Sequence, residues 1–220
     1  MLSAILTACV SCSSVGAVVI VLCVAFGGEM TSVDNSSGNA EEQSMNPTAT
    51  IKPDLIKDII ATIKSIPEHH SRGAAGDTKW TSFLKSELRK VGKKHGYLVS
   101  PCPDDDNKEW LYDLIWFRND PINHQLCEVA LVLESEWSRD AWHIQEDFEK
   151  LLVAKAPIKV MVFQNYGNNL PVLWRLLEDG IRIFEQHTSE ETYILAAFKE
   201  EEHEFEIRIV QGVNQEPTLK

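Results

Sequence analysis

Two apolar runs separated by an amphipathic segment constrain the fold of this chain more than any other feature. Val129–Leu133 and Ile158–Gln164 are nearly all apolar, which is typical of strands covered on both faces. Between them, Ala141–Ala156 carries apolar side chains at helical spacing and is followed by Pro157. A strand, a helix and a strand at this spacing predict a parallel crossover, which is expected to be right-handed. We therefore expect a sheet with parallel strands and helices on its faces.

Further elements are predicted on both sides of this crossover. Upstream there are two helices, Pro53–Ile66 and Thr78–His95, and two strands, Tyr97–Ser100 and Trp110–Phe117. Downstream there is a helix, Leu170–Gln186, and a hairpin formed by Thr192–Phe198 and Glu204–Val210. The pattern predicts an α/β domain over residues 51–212, with a central mixed sheet flanked by helices.

The N-terminal part differs from this domain. Residues 1–28 contain no charged side chain, so they form either a signal peptide or membrane anchor, or an extension that is absent if translation starts at Met45. The first alternative predicts an exported or anchored protein and the second a cytoplasmic one. Residues 29–50 are acidic and rich in Ser and Asn, which predicts a disordered linker. Residues 213–220 are predicted to be a tail.

The composition is that of a globular protein without strong basic character. Of the 220 residues, 44% are hydrophobic and 25% are charged, a balance that allows a real core. The net charge is -12, which argues mildly against nucleic-acid binding because phosphate neutralisation needs basic surface. Within the predicted domain only Cys102 and Cys127 are present, which excludes a disulfide framework and a CxxC metal knuckle.

Three acidic side chains interrupt the apolar strands. The period of two places Glu134 and Glu136 on one face of their strand, together with Ala130 and Val132. Asp113 lies in the middle of the preceding strand, where a carboxylate must be paired, hydrogen-bonded or metal-bound. If the two strands are neighbours, the acids converge and repel one another, and a hard divalent cation is their natural compensator. The alternative is a pair of strand-end acids that face solvent.

The order helix, strand, strand, strand, helix, strand, with these acids on the second and third strands, resembles the PD-(D/E)xK nuclease superfamily. The resemblance implies a restriction-endonuclease-like αβββαβ core and Mg²⁺- or Mn²⁺-dependent hydrolysis of phosphodiester bonds. Asp113 and Glu134 match the two metal-binding acids of the motif. Glu136 occupies the position where the family usually has Lys, and we expect it to bind a second metal ion or to orient the water. Glu87 matches the Glu of the preceding helix, and Lys150 matches a lysine that some members carry on the following helix.

The resemblance also implies a nucleic acid as the partner, with DNA expected rather than RNA. It is compatible with a homodimer. Lys85, Arg89 and Lys93 recur at i, i+4 and i+8 of a predicted helix and form the basic cluster of an acidic chain. They are either a surface that follows the phosphate backbone or a solvated face whose basic end suits the helix dipole. Three functions are therefore open. The first is a nuclease, and the second is an inactive member of the fold that acts as a binding or assembly module, which the acidic balance and Glu136 in place of Lys favour. The third, an extracytoplasmic domain unrelated to nucleic acid, depends on residues 1–28 being a real signal or anchor.

Overall fold

A six-stranded mixed sheet with helices on both faces forms the domain. The computed structural model describes residues 53–69, 77–101, 110–138, 140–165 and 169–212. The elements are, in chain order, α1 (Pro53–His69), α2 (Asp77–Lys94), β1 (Leu98–Ser100), β2 (Leu114–Asn119), β3 (Leu126–Glu136), α3 (Ala141–Leu152), β4 (Ile158–Asn165), α4 (Leu170–Ile183), β5 (Thr192–Lys199) and β6 (Glu204–Gln211). The segments predicted for residues 1–28, 29–50 and 213–220 lie outside the described residues. Within those residues, no helix is both long enough and apolar enough to span a bilayer.

The strands lie in the sheet in the order in which they follow one another along the chain. β1, β2 and β3 pair antiparallel, β3, β4 and β5 pair parallel, and β5 and β6 form an antiparallel hairpin. The predicted α/β class is confirmed, and so is the parallel crossover from β3 through α3 to β4. From α2 to β4 the element order is the αβββαβ order of a restriction-endonuclease-like fold.

The sheet separates two apolar cores. Val160 and Val162 of β4 pack in one core with α1 and α2, whereas Met161 and Phe163 pack in the other core with α3 and α4. Alternate side chains of a strand point to opposite faces, and here helices cover both faces. This burial on two sides explains why the central strands are apolar without interruption.

The second strand begins later than the sequence predicts. Instead of a strand that starts at Trp110, β2 begins at Leu114, and an isolated bridge joins Trp110 to Tyr112. Leu111 between them has a φ of 67°, a left-handed conformation that interrupts extended structure. Asp113 therefore lies immediately before β2, and its predicted position in the middle of a strand is wrong.

An irregularity in β3 changes the face on which one residue lies. Two successive residues of β2 pair with Leu131 and Val129, so Ala130 is an additional residue on β3. Ala130 consequently packs in the same core as Leu131, while Val132 packs in the opposite one. The prediction that Ala130 shares a face with Glu134 is wrong for this reason.

Candidate active site

The carboxyl end of β3 is the place where the acids meet. Leu133 of β3 pairs with Leu114 at the start of the antiparallel strand β2, so the residues that follow and precede them are brought together at one edge of the sheet. Asp113 Oδ2 accepts hydrogen bonds from the backbone N–H of Ser135 at 2.8 Å and from its hydroxyl at 2.6 Å. Asp113 is thereby held against the residue that follows Glu134.

The α2 side of this edge is organised by Ser135. Its hydroxyl lies 3.3 Å from the hydroxyl of Thr81 on α2, which also accepts a hydrogen bond of 2.8 Å from Trp137 Nε1. Ser135 and Trp137 lie two residues apart and face α2, because side chains of a strand alternate. A chain of hydrogen bonds thus connects α2 to the carboxylate of Asp113.

The α3 side of the edge carries Glu134 and a lysine. The Glu134 side chain is only 6% exposed, and its Oε1 lies 3.9 Å from Nζ of Lys150. Lys150 also donates a hydrogen bond of 2.6 Å to Asp147, one helical turn earlier. Its pKa is raised, chiefly by the hydrogen bond to Asp147 and also by the charges of Glu134 and Asp113. Lys150 therefore lies beside the acids as a cation, in the place where the resemblance puts the lysine of the following helix.

Glu136 has different partners from the other two acids. Its carboxylate accepts a hydrogen bond from the backbone N–H of Ser138. Burial raises the pKa of Glu136, and the neighbouring carboxylate of Asp147 raises it further, against the effects of Ser138 and His143. In the part of the chain that the structure describes, no three His, Cys, Asp or Glu side chains are grouped so that they could hold a metal ion. The predicted set of three ligands is thus not assembled, and Glu136 lies beside Asp147 in the middle of α3.

The cations of α2 do not form a continuous exposed row. The Lys85 side chain is only 13% exposed, and its Nζ lies 3.9 Å from Asp113 Oδ1. Arg89 donates a hydrogen bond of 2.6 Å to the carbonyl of Pro101. Of the three predicted nucleic-acid contacts, Lys93 is exposed to solvent. Lys85 and Arg89 thus contact other residues of the chain, whereas Lys93 faces solvent, and the surface that follows the phosphate backbone stays a prediction.

Glu87 lies on the same helix and forms an ion pair of 2.6 Å with Lys90, so its position is that of a partly exposed helix acid. Asp147 is a site residue that the sequence did not predict, and the predicted role at Ser135 was that of a backbone carbonyl rather than of the side chain. Asp147 and Lys150 are three residues apart on one helix, and this spacing could have predicted their ion pair.

Two carboxylates are the donor set that the structure offers for a metal ion. Mg²⁺ is usually bound through one or two carboxylates, while water and substrate phosphates complete its octahedron. Asp113 and Glu134 provide hard oxygen donors, and their side chains are only 15% and 6% exposed. These two side chains supply the kind of oxygen donor that Mg²⁺ binds.

Comparison with known proteins adds little to this description. No family model matches the chain, and no curated protein matches it. Among solved structures, the cAAA-bound form of NucC from E. coli MS115-1 is similar over 71% of this chain and 81% of that chain, at 10% identity and a TM-score of 0.34. The fold of this chain is therefore defined by its own strand order and register.

Proposed function

We propose that this chain is a divalent-metal-dependent nuclease that hydrolyses phosphodiester bonds in DNA. The observation that carries the proposal is the ammonium of Lys150, 3.9 Å from the buried carboxylate of Glu134 at the end of β3. Asp113 is held beside them through Ser135. Two acids and a lysine at this position of an αβββαβ core are the constellation that the resemblance implies.

The proposed roles follow from the contacts. Asp113 and Glu134 would hold Mg²⁺ or Mn²⁺, which when bound lowers the pKa of a water molecule and stabilises the charge that develops on the phosphate. Ser135 orients Asp113 through its two hydrogen bonds. Lys150, whose ammonium lies 3.9 Å from Glu134, would stabilise negative charge or orient the water. Glu136 acts indirectly, through Asp147.

The decisive experiment is a cleavage assay with labelled single-stranded and duplex DNA, and with RNA, in the presence of Mg²⁺ or of EDTA. We expect Mg²⁺-dependent cleavage by the wild type, and a loss of at least about a hundredfold in Asp113→Asn, Glu134→Gln and Lys150→Met. Glu146→Gln is the matched control, because Glu146 is an exposed acid on the same helix as Lys150. Circular dichroism checks that each variant is folded. Cleavage that survives all three substitutions would exclude this site, and wild-type protein that cleaves none of the substrates would exclude the function.

A second candidate function is an inactive nuclease-like domain that acts as a binding or assembly module. The observations that favour it are Glu136 in the family's Lys position and a basic row whose members Lys85 and Arg89 contact other residues of the chain. Titration of the metal-free protein with Mg²⁺ separates the two candidates. The absence of binding at millimolar Mg²⁺, together with no cleavage, would favour the module.

A further inference from the structure

Lys85 is a largely buried lysine that points into the candidate site. It projects from α2 on the side of the sheet opposite to α3, and its Nζ faces Oδ1 of Asp113 at 3.9 Å. Taking an ammonium out of water is unfavourable unless an acid compensates for it, so a lysine that is only 13% exposed needs such a partner. Asp113 is one such partner.

The two oxygens of Asp113 have different surroundings. Oδ2 accepts both hydrogen bonds from Ser135, which fill the directions in which this oxygen binds donors. Oδ1 is the oxygen that faces Lys85. A cation that approaches Asp113 on Oδ1 therefore meets the Lys85 ammonium.

Lys150 is placed differently, although it too lies beside an acid. Its side chain is half-exposed, and a hydrogen bond of 2.6 Å to Asp147 holds it at a distance of 3.9 Å from Glu134. The ammonium of Lys150 therefore has a closer carboxylate partner than Glu134. The two lysines that flank the acids thus have unequal relations to them.

We propose that Lys85 is a stand-in cation for the divalent ion: it balances the charge of Asp113 in the metal-free protein, and the ion competes with its ammonium for Asp113 Oδ1. Two cations within a few ångströms repel each other strongly in a partly buried site. Binding of the ion must therefore weaken the contact between Lys85 and Asp113. This inference rests on the proposed function only in that Asp113 is a ligand of the ion.

The test is a calorimetric titration of the full chain with Mg²⁺, in the absence of nucleic acid, after removal of metal with EDTA and dialysis. We expect Lys85→Met to bind Mg²⁺ about tenfold or more tightly than the wild type, because the competing charge is gone. Lys85→Arg keeps the charge and should bind like the wild type. Lys93→Met is the matched control, since Lys93 is an exposed lysine on the same helix, and it should bind like the wild type as well.

A second readout in the same variants is stability without metal. Lys85→Met should unfold at a lower urea concentration than the wild type in EDTA, and saturating Mg²⁺ should remove most of this difference. If Lys85→Met does not fold in EDTA, Lys85→Gln takes its place, because its amide can still donate a hydrogen bond to Asp113.

The outcomes separate this inference from the proposed function. Tighter Mg²⁺ binding by Lys85→Met that disappears when Asp113→Asn is added supports it. Measurable binding by the wild type with equal or weaker binding by Lys85→Met overturns the inference and leaves the nuclease proposal standing. The absence of Mg²⁺ binding in both proteins overturns both.

Discussion

A buried ion pair at the end of the sheet opposite to the acids makes a quantitative prediction about stability. The side chain of Lys159 on β4 is fully buried, and its Nζ lies 2.9 Å from Glu191 Oε2 and 3.1 Å from the hydroxyl of Tyr193. It also donates a hydrogen bond of 3.3 Å to the carbonyl of Leu152, at the end of α3. One ammonium thus joins α3, β4 and the start of β5.

Replacing Glu191 with Gln should lower the free energy of unfolding by about 3–5 kcal/mol, because it leaves a buried ammonium without a compensating charge. The Glu191 side chain is only 14% exposed, so water screens the pair weakly. A loss of this size is a large share of the roughly 5–15 kcal/mol that stabilises a typical domain. Lys159→Met removes the charge and keeps a side chain of similar length, so the double variant should be more stable than Glu191→Gln alone.

Urea unfolding followed by circular dichroism measures the free energy of unfolding of the wild type, the two single variants and the double variant. The dependence of this free energy on urea concentration should be the same in all four proteins. Burial lowers the pKa of Lys159, although Glu191 opposes this shift. The folded state then releases the lysine proton at a lower pH than the unfolded chain does, so the penalty of Glu191→Gln should shrink as the pH rises towards the ordinary lysine pKa. A penalty below about 1 kcal/mol, or a double variant that is no more stable than Glu191→Gln, would refute the reasoning.

Two further predictions concern packing and alkaline stability. In Gly92→Ala the new Cβ would lie 2.8 Å from Trp116 Nε1 and 2.9 Å from Val99 Cγ2; overpacking costs about 1–3 kcal/mol and outweighs the gain of about 1 kcal/mol in helix propensity. The urea midpoint should fall, and an unchanged midpoint would contradict the close packing. Burial and the carboxylate of Glu191 raise the pKa of Tyr193 far above its ordinary value, so above about pH 10 the unfolded chain releases a proton that the folded chain keeps, and stability is lost as the pH rises. In Tyr193→Phe this loss should be smaller by up to about 1.4 kcal/mol per pH unit, and parallel pH curves for the two proteins would argue against it.

The sequence predicted the part of the fold that depends on periodicity. The apolar runs around α3 indicated two central strands, and both pair parallel as expected. The start of β2 and the face of Ala130 could not be predicted in the same way. Leu111 has a positive φ, and Ala130 is an additional residue on β3. Such irregularities depend on how neighbouring strands pair, which the pattern of a single strand does not reveal.

The approach of Asp113 to the end of β3 was easier to predict than the surroundings of the α2 cations. The sequence predicted that Asp113 would approach the end of β3, and the structure places it there. The different surroundings of the α2 cations have a geometric cause. Residues eight positions apart on a helix differ by about 80° around its axis, so a row at i, i+4 and i+8 turns steadily. Lys85 at one end of this row faces the site, and Lys93 at the other end faces solvent.

The hydrogen bonds between Ser135 and Asp113 join two parts of the chain that come together at different entropic cost. Glu134, Asp147 and Lys150 belong to one strand-turn-helix segment, so short loop closure is enough to bring them together. Asp113 reaches the same place only when the hairpin of β2 and β3 has formed in the correct register. A shift of that hairpin by one residue would leave the acid–lysine half of the site intact while removing Asp113 from it. The integrity of the whole site therefore reports on the register of a single strand pair.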